Sequence, residues 1–83
     1  MTSVSDLIAF LQRFPPNALV FTNQFGGDWS EEHPIDLQAS EFHPQAYLHR
    51  DLNGNVQYTP EKQADEEIKT DSIGRQDVVR LVA

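Results

Sequence analysis

Cysteine is absent from this chain of 83 residues. Its absence excludes disulfide bonds, thiolate metal sites and a cysteine nucleophile. Basic residues are also scarce, with six against 13 acids, and the formal net charge is −7. Because a nucleic-acid binder needs a basic surface, we expect no direct contact with DNA or RNA. The same sign disfavours an anionic membrane as a partner.

Long apolar runs are missing as well. No stretch reaches the roughly 18 apolar residues of a membrane-spanning helix. The first residues also lack the basic segment and apolar run of a signal peptide. We therefore expect a cytoplasmic protein. The length and the hydrophobic fraction of 39% predict a single domain over residues 1–83 with a thin core.

A short amphipathic helix is the clearest local signal, and it is predicted for residues 3–14. Apolar residues recur there at the spacing of one helix face: Val4, Leu7, Ile8 and Leu11. Ser3 and Asp6 are spaced as an N-cap and its capping-box partner. Pro15 and Pro16 end the helix, because proline disfavours helical angles in the residue before it.

A strand is predicted directly after the two prolines, over residues 18–23. Its apolar residues are contiguous, which is typical of burial on both faces. We therefore expect a central strand that the first helix covers. The predicted folding nucleus combines residues of both elements: Leu7, Ile8, Leu11, Val20 and Phe21.

The middle of the chain predicts a strand and then a hairpin. Alternating apolar residues over 35–40 indicate a half-buried strand that ends at His43-Pro44. A two-residue turn at Asn53-Gly54 would pair His49 with Tyr58. A type I turn with Gly54 at a bulge would instead pair Leu48 with Tyr58. We predict the second register, because it collects the apolar residues of both strands on one face.

The last third predicts less structure. Thr59-Pro60 has the pattern of a helix start, with Thr59 as cap. Residues 61–70 favour either a short solvated helix or a mobile acidic loop, and residues 77–82 favour a final strand. The predicted fold class is α+β, with an N-terminal helix packed on a small, mostly antiparallel sheet of four or five strands. A short second helix is the open alternative.

Metal and cofactor sites are not predicted. The three histidines, His33, His43 and His49, are ten and six residues apart and form no i, i+4 pair. His43 and His49 are the pair that strand ends would bring together. A calcium loop starting at Asp51 would need glycine at its sixth position and an acid at its twelfth. Val56 and Lys62 stand there instead.

Catalytic motifs are also missing, so we predict that the protein is not an enzyme. No serine lies in a G-x-S-x-G pattern, and no glycine-rich phosphate loop occurs. A thin core does not readily form the dry pocket that shifts the pKa of a carboxyl group. The acids are therefore interpreted as solvated charges.

An acidic and partly aromatic surface is the remaining candidate for function. Tryptophan is enriched among interface anchors, although a lone tryptophan in a small domain also suits the core. Trp29 is therefore either an interface anchor or a core residue. The candidate partner-binding residues form one cluster around Trp29 and a second near the predicted second helix: Asp28, Trp29, Glu31, Glu32, Asp36, Asp65, Glu66 and Glu67.

About a quarter of the chain resembles the start of small uncharacterised proteins encoded by bacteriophages and prophages. The shared pattern is Val4-x-x-Leu7-Ile8-x-x-Leu11-x-x-Phe14-Pro15-Pro16-Asn17-Ala18-x-Val20, then Phe25-Gly26-Gly27, and a closing strand such as Val78-Val79-Arg80-Leu81. The resemblance implies a bacterial cytoplasm and an accessory role, and it carries no catalytic residues.

Two functional hypotheses follow. The first is a phage-type accessory protein that binds a bacterial host protein with a basic surface, inhibiting or redirecting a defence or nucleic-acid-handling enzyme. The second is a small assembly module that forms a homodimer through an exposed sheet edge.

Overall fold

Four strands form one curled sheet in the computed structural model, which describes residues 2–22 and 34–82. The strands are β1 (Leu19–Thr22), β2 (Asp36–Arg50), β3 (Val56–Thr59) and β4 (Gly74–Val82), and the helices are α1 (Val4–Leu11) and α2 (Glu66–Asp71). The strand order is β1-β4-β2-β3. β1 runs parallel to β4, whereas β2 pairs antiparallel with both β3 and β4. The predicted α+β class, with a mostly antiparallel sheet, is confirmed.

The N-terminus of α1 has the predicted cap. The Ser3 hydroxyl accepts from the Asp6 amide, and the Asp6 carboxylate accepts from the Ser3 amide, both at 3.1 Å. The helix ends at Leu11, earlier than the prolines require. Phe14 donates its amide to the Leu11 carbonyl at 3.2 Å, so the chain leaves α1 in a tighter turn.

Among the strands of residues 2–22 and 34–82, β1 lies at an edge of the sheet, so the prediction of a central, covered strand was wrong. β4 lies between β1 and β2, and its Val78, Val79 and Leu81 are all buried. In β1, Val20 keeps 50% of its surface exposed. A contiguous apolar run therefore does not distinguish a central strand from an edge strand whose faces are only partly covered.

β2 continues through Pro44, so the predicted end of the strand at His43-Pro44 was also wrong. The pairing of β2 with β4 is irregular between His43 and Ala46, and Gln45 has a positive φ of 51°. The Gln45 amide donates to the Asp77 carboxylate at 2.9 Å instead of to a strand. This bulge accommodates proline, which has no amide proton for the ladder.

The two faces of the sheet are buried in different ways. Phe21 of β1 and Tyr58 of β3 lie on opposite edges of the sheet, yet their ring centroids are 4.9 Å apart. The sheet therefore curls, and this concave face covers Val78 and Ala46 completely. On the convex face, Phe14 stacks on Phe42 at 4.7 Å, which holds the end of the α1 segment against the sheet.

The β2–β3 hairpin has the predicted register. Leu48 pairs with Tyr58, and Arg50 pairs with Val56. The Gly54 amide donates to the Asp51 carbonyl at 3.0 Å, which closes the type I turn, and Gly54 has a φ of 82°. The apolar pattern of the two strands and the turn glycine point to the same register.

Gly54→Ala is expected to lower the free energy of unfolding by about 1–2 kcal/mol, because a side chain is disfavoured at this positive φ. No atom lies within 4 Å of the position that an added Cβ would take, so the cost comes from the backbone alone. Gly54→Asn is the matched variant, since asparagine tolerates this region. Thermal unfolding of both variants checks the prediction, and equal losses would contradict it.

Asp51 predicts a pH dependence of stability at this turn. Its carboxylate accepts from the amides of Asn55 and Asn53, and these bonds hold the pKa of Asp51 below its ordinary value of 3.8. A lowered pKa adds stability above the unfolded pKa, and that stability disappears as the pH falls through the folded one. Asp51→Asn is therefore expected to lower Tm at pH 7 and to lose less Tm than the wild type between pH 5 and pH 2. Parallel pH profiles would refute this role.

The segment after the hairpin differs from the prediction at its start. Thr59 is not a helix cap; its hydroxyl lies 2.9 Å from the His49 Nε2 atom. A single 3-10 turn follows at Glu61–Gln63, and α2 begins later, where the Asp65 carboxylate accepts from the Ile68 amide at 2.9 Å. Of the two alternatives for residues 61–70, the short helix is the one present. The predicted final strand is present and extends back to Gly74.

Candidate functional site

An apolar groove lies between α1 and β1 on the convex face, with a volume of about 460 Å³. We call it the α1–β1 groove. Its walls come from the helix, the double proline and two strands, and include Ile8, Leu11, Phe14, Pro15, Val20 and Val79. None of these side chains is charged. The groove therefore suits apolar side chains and offers little to a small polar substrate.

The groove forms because α1 carries more apolar surface than the sheet covers. No α1 side chain is fully buried, and Ile8 remains 52% exposed. Pro15 and Pro16 turn the chain into β1, and Ile8 of α1 and Val20 of β1 both line the groove. Ile8 and Val20 therefore lie outside the buried core, which consists of Ala46, Val78, Val79 and Leu81.

A second groove, of about 760 Å³, lies on the other side of α1 against β2. Its aromatic walls are Phe10, Phe14 and Phe42, and Asp6 and Arg13 supply one charge of each sign. The Arg13 guanidinium lies over the rings of Phe10 and Phe14, at 5.7 and 5.9 Å from their centroids. Because Arg13 already occupies these ring faces, we interpret this groove as part of the packing that holds α1.

A polar cluster lies on the concave face, around Glu41. The Glu41 carboxylate is 2.8 Å from the His43 Nε2 atom and 3.9 Å from the Arg80 guanidinium. A carboxylate beside an imidazole is also found in general-base catalysis. However, neither of the two grooves is lined by Glu41 or His43. We interpret the cluster as a cross-strand ion pair between Glu41 and Arg80, with His43 as a neighbour.

Tyr58 borders this cluster, with its ring centroid 5.5 Å from that of His43. Burial raises the pKa of the Tyr58 phenol; Arg80 opposes this rise, and Glu41 adds to it. Tyr58 therefore stays neutral through the physiological range. Its contact with Phe21 gives it a packing role on the concave face.

Four of the eight predicted partner-binding residues lie in the described part of the chain. Asp36 begins β2, where its carboxylate accepts from the amides of Gln38 and Ala39 at 3.0 and 3.4 Å. Asp65 caps α2. Glu66 lies 4.0 Å from Lys69, and Glu67 is exposed in the same helical turn. The other four lie outside the described residues: Asp28, Trp29, Glu31 and Glu32.

Asp36, the described member of the acidic cluster around Trp29, does not lie beside the second acidic cluster at α2. Asp36 pairs with Val82 at the end of β4, whereas α2 adjoins the start of β4, where Ile73 donates to the Leu48 carbonyl. Val82 lies eight positions after Gly74, which corresponds to about 25 Å of strand. Asp36 and α2 therefore belong to opposite ends of the sheet.

The predicted histidine pair is also separated. His43 contacts Glu41 on the concave face, and the strand register places His49 on the other face, next to Thr59. His33 lies outside the described residues. Within residues 2–22 and 34–82, no three His, Asp or Glu side chains come together as metal ligands.

Sequence reasoning missed the α1–β1 groove because it assigned Leu7, Ile8 and Leu11 of α1 to the folding nucleus. One signal was present: residues 4–14 carry two apolar stripes, with Phe10 and Phe14 beside Val4, Ile8 and Leu11. Phe14 stacks on Phe42 of the sheet. The stripe that contains Ile8 therefore lines the groove.

Comparisons with protein-family models, with curated proteins and with solved structures returned no match. None of the helices in the described part of the chain is long and apolar enough to cross a membrane.

Proposed function

We propose that this chain is a non-enzymatic binding module for a protein partner with a basic surface, and that the α1–β1 groove is its main contact. The observation that carries the proposal is the groove itself. Ile8 and Val20 expose about half of their surface on its two walls, beside an edge strand. Apolar side chains grouped in a depression are typical of interface centres.

The charge of the chain supports a basic partner. The net charge is −7, and most of the six cations are engaged by groups of the chain itself. Arg75 lies 3.2 Å from Glu61, Arg80 lies near Glu41, and Arg50 donates to the Gly54 carbonyl at 2.9 Å. A negative field accelerates encounter with a basic surface, whereas burial in the groove supplies affinity.

The phage-like pattern of the first residues makes a bacterial host protein the first partner to test. In this proposal the chain occupies a basic site on a host enzyme for defence or nucleic-acid handling. Glu66 and Glu67, which are exposed on α2, steer the approach.

The experiment is capture from bacterial lysate, followed by purification of the recovered protein and calorimetry. We expect a basic partner whose Kd rises at least about tenfold with Val20→Ser, equivalent to about 1.4 kcal/mol. Leu52→Ser is the matched control, because Leu52 is fully exposed at the hairpin tip, away from the groove. Recovery of no basic protein, or equal Kd values for Val20→Ser and the wild type, would refute the proposal.

A homodimer is the second candidate, and the position of β1 favours it. Within residues 2–22 and 34–82, β4 is the only strand that pairs with β1. Light scattering over a range of salt concentrations separates the candidates: a dimer that persists at all salt concentrations favours assembly, and a monomer favours the binding module.

A further inference from the structure

We infer that the partner contributes an extended, cationic segment that adds to the sheet as a strand beside β1. This inference rests on the proposed function and specifies how the partner would occupy the same site. Its starting point is the edge position of β1, whose outer side pairs with no strand in the described ranges. An edge strand presents unpaired backbone N–H and C=O groups, which an extended polypeptide satisfies.

The side chains of β1 permit this addition. Leu19, Val20, Phe21 and Thr22 include neither a charge nor a proline, the residues with which natural edge strands prevent pairing. Alternate residues of β1 also face opposite sides of the sheet, and the register places Val20 with Val79 on the side of the groove.

The groove extends this edge with an apolar wall. In an added strand, every second side chain would point toward the convex face, where Ile8, Pro15 and Val20 are available. The backbone edge therefore selects an extended chain, and the groove selects apolar residues at alternate positions. A helix in the groove would leave the β1 backbone unpaired.

The net charge of the chain favours a cationic segment over a second copy of this chain as the partner. Two copies would each bring a net charge of −7 to the contact. A segment with lysine or arginine at the remaining positions is attracted by the same field. The expected partner segment therefore alternates apolar and basic residues over the length of β1.

Three capped seven-residue peptides test this inference. The first alternates lysine and valine, the second replaces each lysine by glutamate, and the third carries N-methyl groups on alternate backbone nitrogens of the first. We expect the lysine peptide to bind and to slow hydrogen exchange in β1. We expect the other two peptides to bind at least about tenfold more weakly. Val20→Ser should weaken binding of the lysine peptide, and Leu52→Ser should leave it unchanged.

The results distinguish failure of the strand addition from failure of the proposed function. Equal binding of the methylated peptide, equal binding of the glutamate peptide, absence of binding, or dimerisation of the chain at the working concentration would overturn the strand addition. The proposed function would survive these results if Val20→Ser still weakened binding of the purified host partner. If that substitution affected neither the peptide nor the partner, both would fail.

Discussion

Val78→Asp is expected to unfold the chain at 25 °C. Val78 has no exposed surface and lies in β4, the strand that pairs with both β1 and β2. An unpaired carboxylate in this position costs several kcal/mol, because burial removes its hydration. A domain of this size retains roughly 3–5 kcal/mol of stability. Circular dichroism and the dispersion of amide proton shifts measure the loss.

The control for this prediction is Val4→Asp. Val4 is 76% exposed in the first turn of α1, where the helix dipole favours a negative charge. We expect this variant to fold with a Tm close to that of the wild type. A folded Val78→Asp variant would contradict the central position of β4, and unfolding of both variants would show that added charge alone destabilises the chain.

Phe14→Ala is expected to lower the free energy of unfolding by about 2 kcal/mol and to abolish partner binding. Phe14 stacks on Phe42 at 4.7 Å, meets Phe10 at 5.1 Å and lines the α1–β1 groove. It is half-buried, so the expected loss is below the 3–5 kcal/mol that is usual for a core phenylalanine. In a domain of this size, the change corresponds to a fall in Tm of about 10 °C.

Two comparisons separate the stability effect of Phe14 from its effect on binding. Phe14→Leu keeps most of the apolar volume and should recover most of the stability. Gly54→Ala loses a similar amount of stability at the hairpin, away from the groove, and should still bind the partner. If Phe14→Ala bound as tightly as Gly54→Ala, the groove would not be the contact.

The sequence predicted the elements whose local signals agree. Ser3 and Asp6 define the start of α1, since capping depends on residues only three positions apart. Gly54 and the alternating apolar residues around it define the hairpin register, because a shift by one residue would turn the apolar side chains to the other face.

Long-range pairing was not predictable in the same way. Nothing within residues 18–23 shows that β4, some 60 positions later, takes the centre of the sheet. The continuation of β2 through Pro44 depends on Asp77, whose carboxylate accepts the displaced Gln45 amide. Both features need a partner that is distant in sequence, and local patterns carry no information about it.

The candidate site shows the same limit. Acidic residues were identifiable as surface groups, but Asp36 and Asp65 are also needed for local hydrogen bonds at the starts of β2 and α2. The position of the α1–β1 groove depends on which of the two apolar stripes of residues 4–14 contacts the sheet. Periodicity identifies both stripes as apolar, and only the stacking of Phe14 on Phe42 decides between them.

The most direct test of the groove as binding surface is the NMR spectrum of the labelled chain during titration with the purified host partner. If the partner binds in the groove, the largest shift changes fall on Ile8, Leu11, Val20 and the neighbouring residues of β1. Changes confined to α2 or to the concave face around Glu41, with unchanged signals for Ile8 and Val20, would contradict binding in the groove.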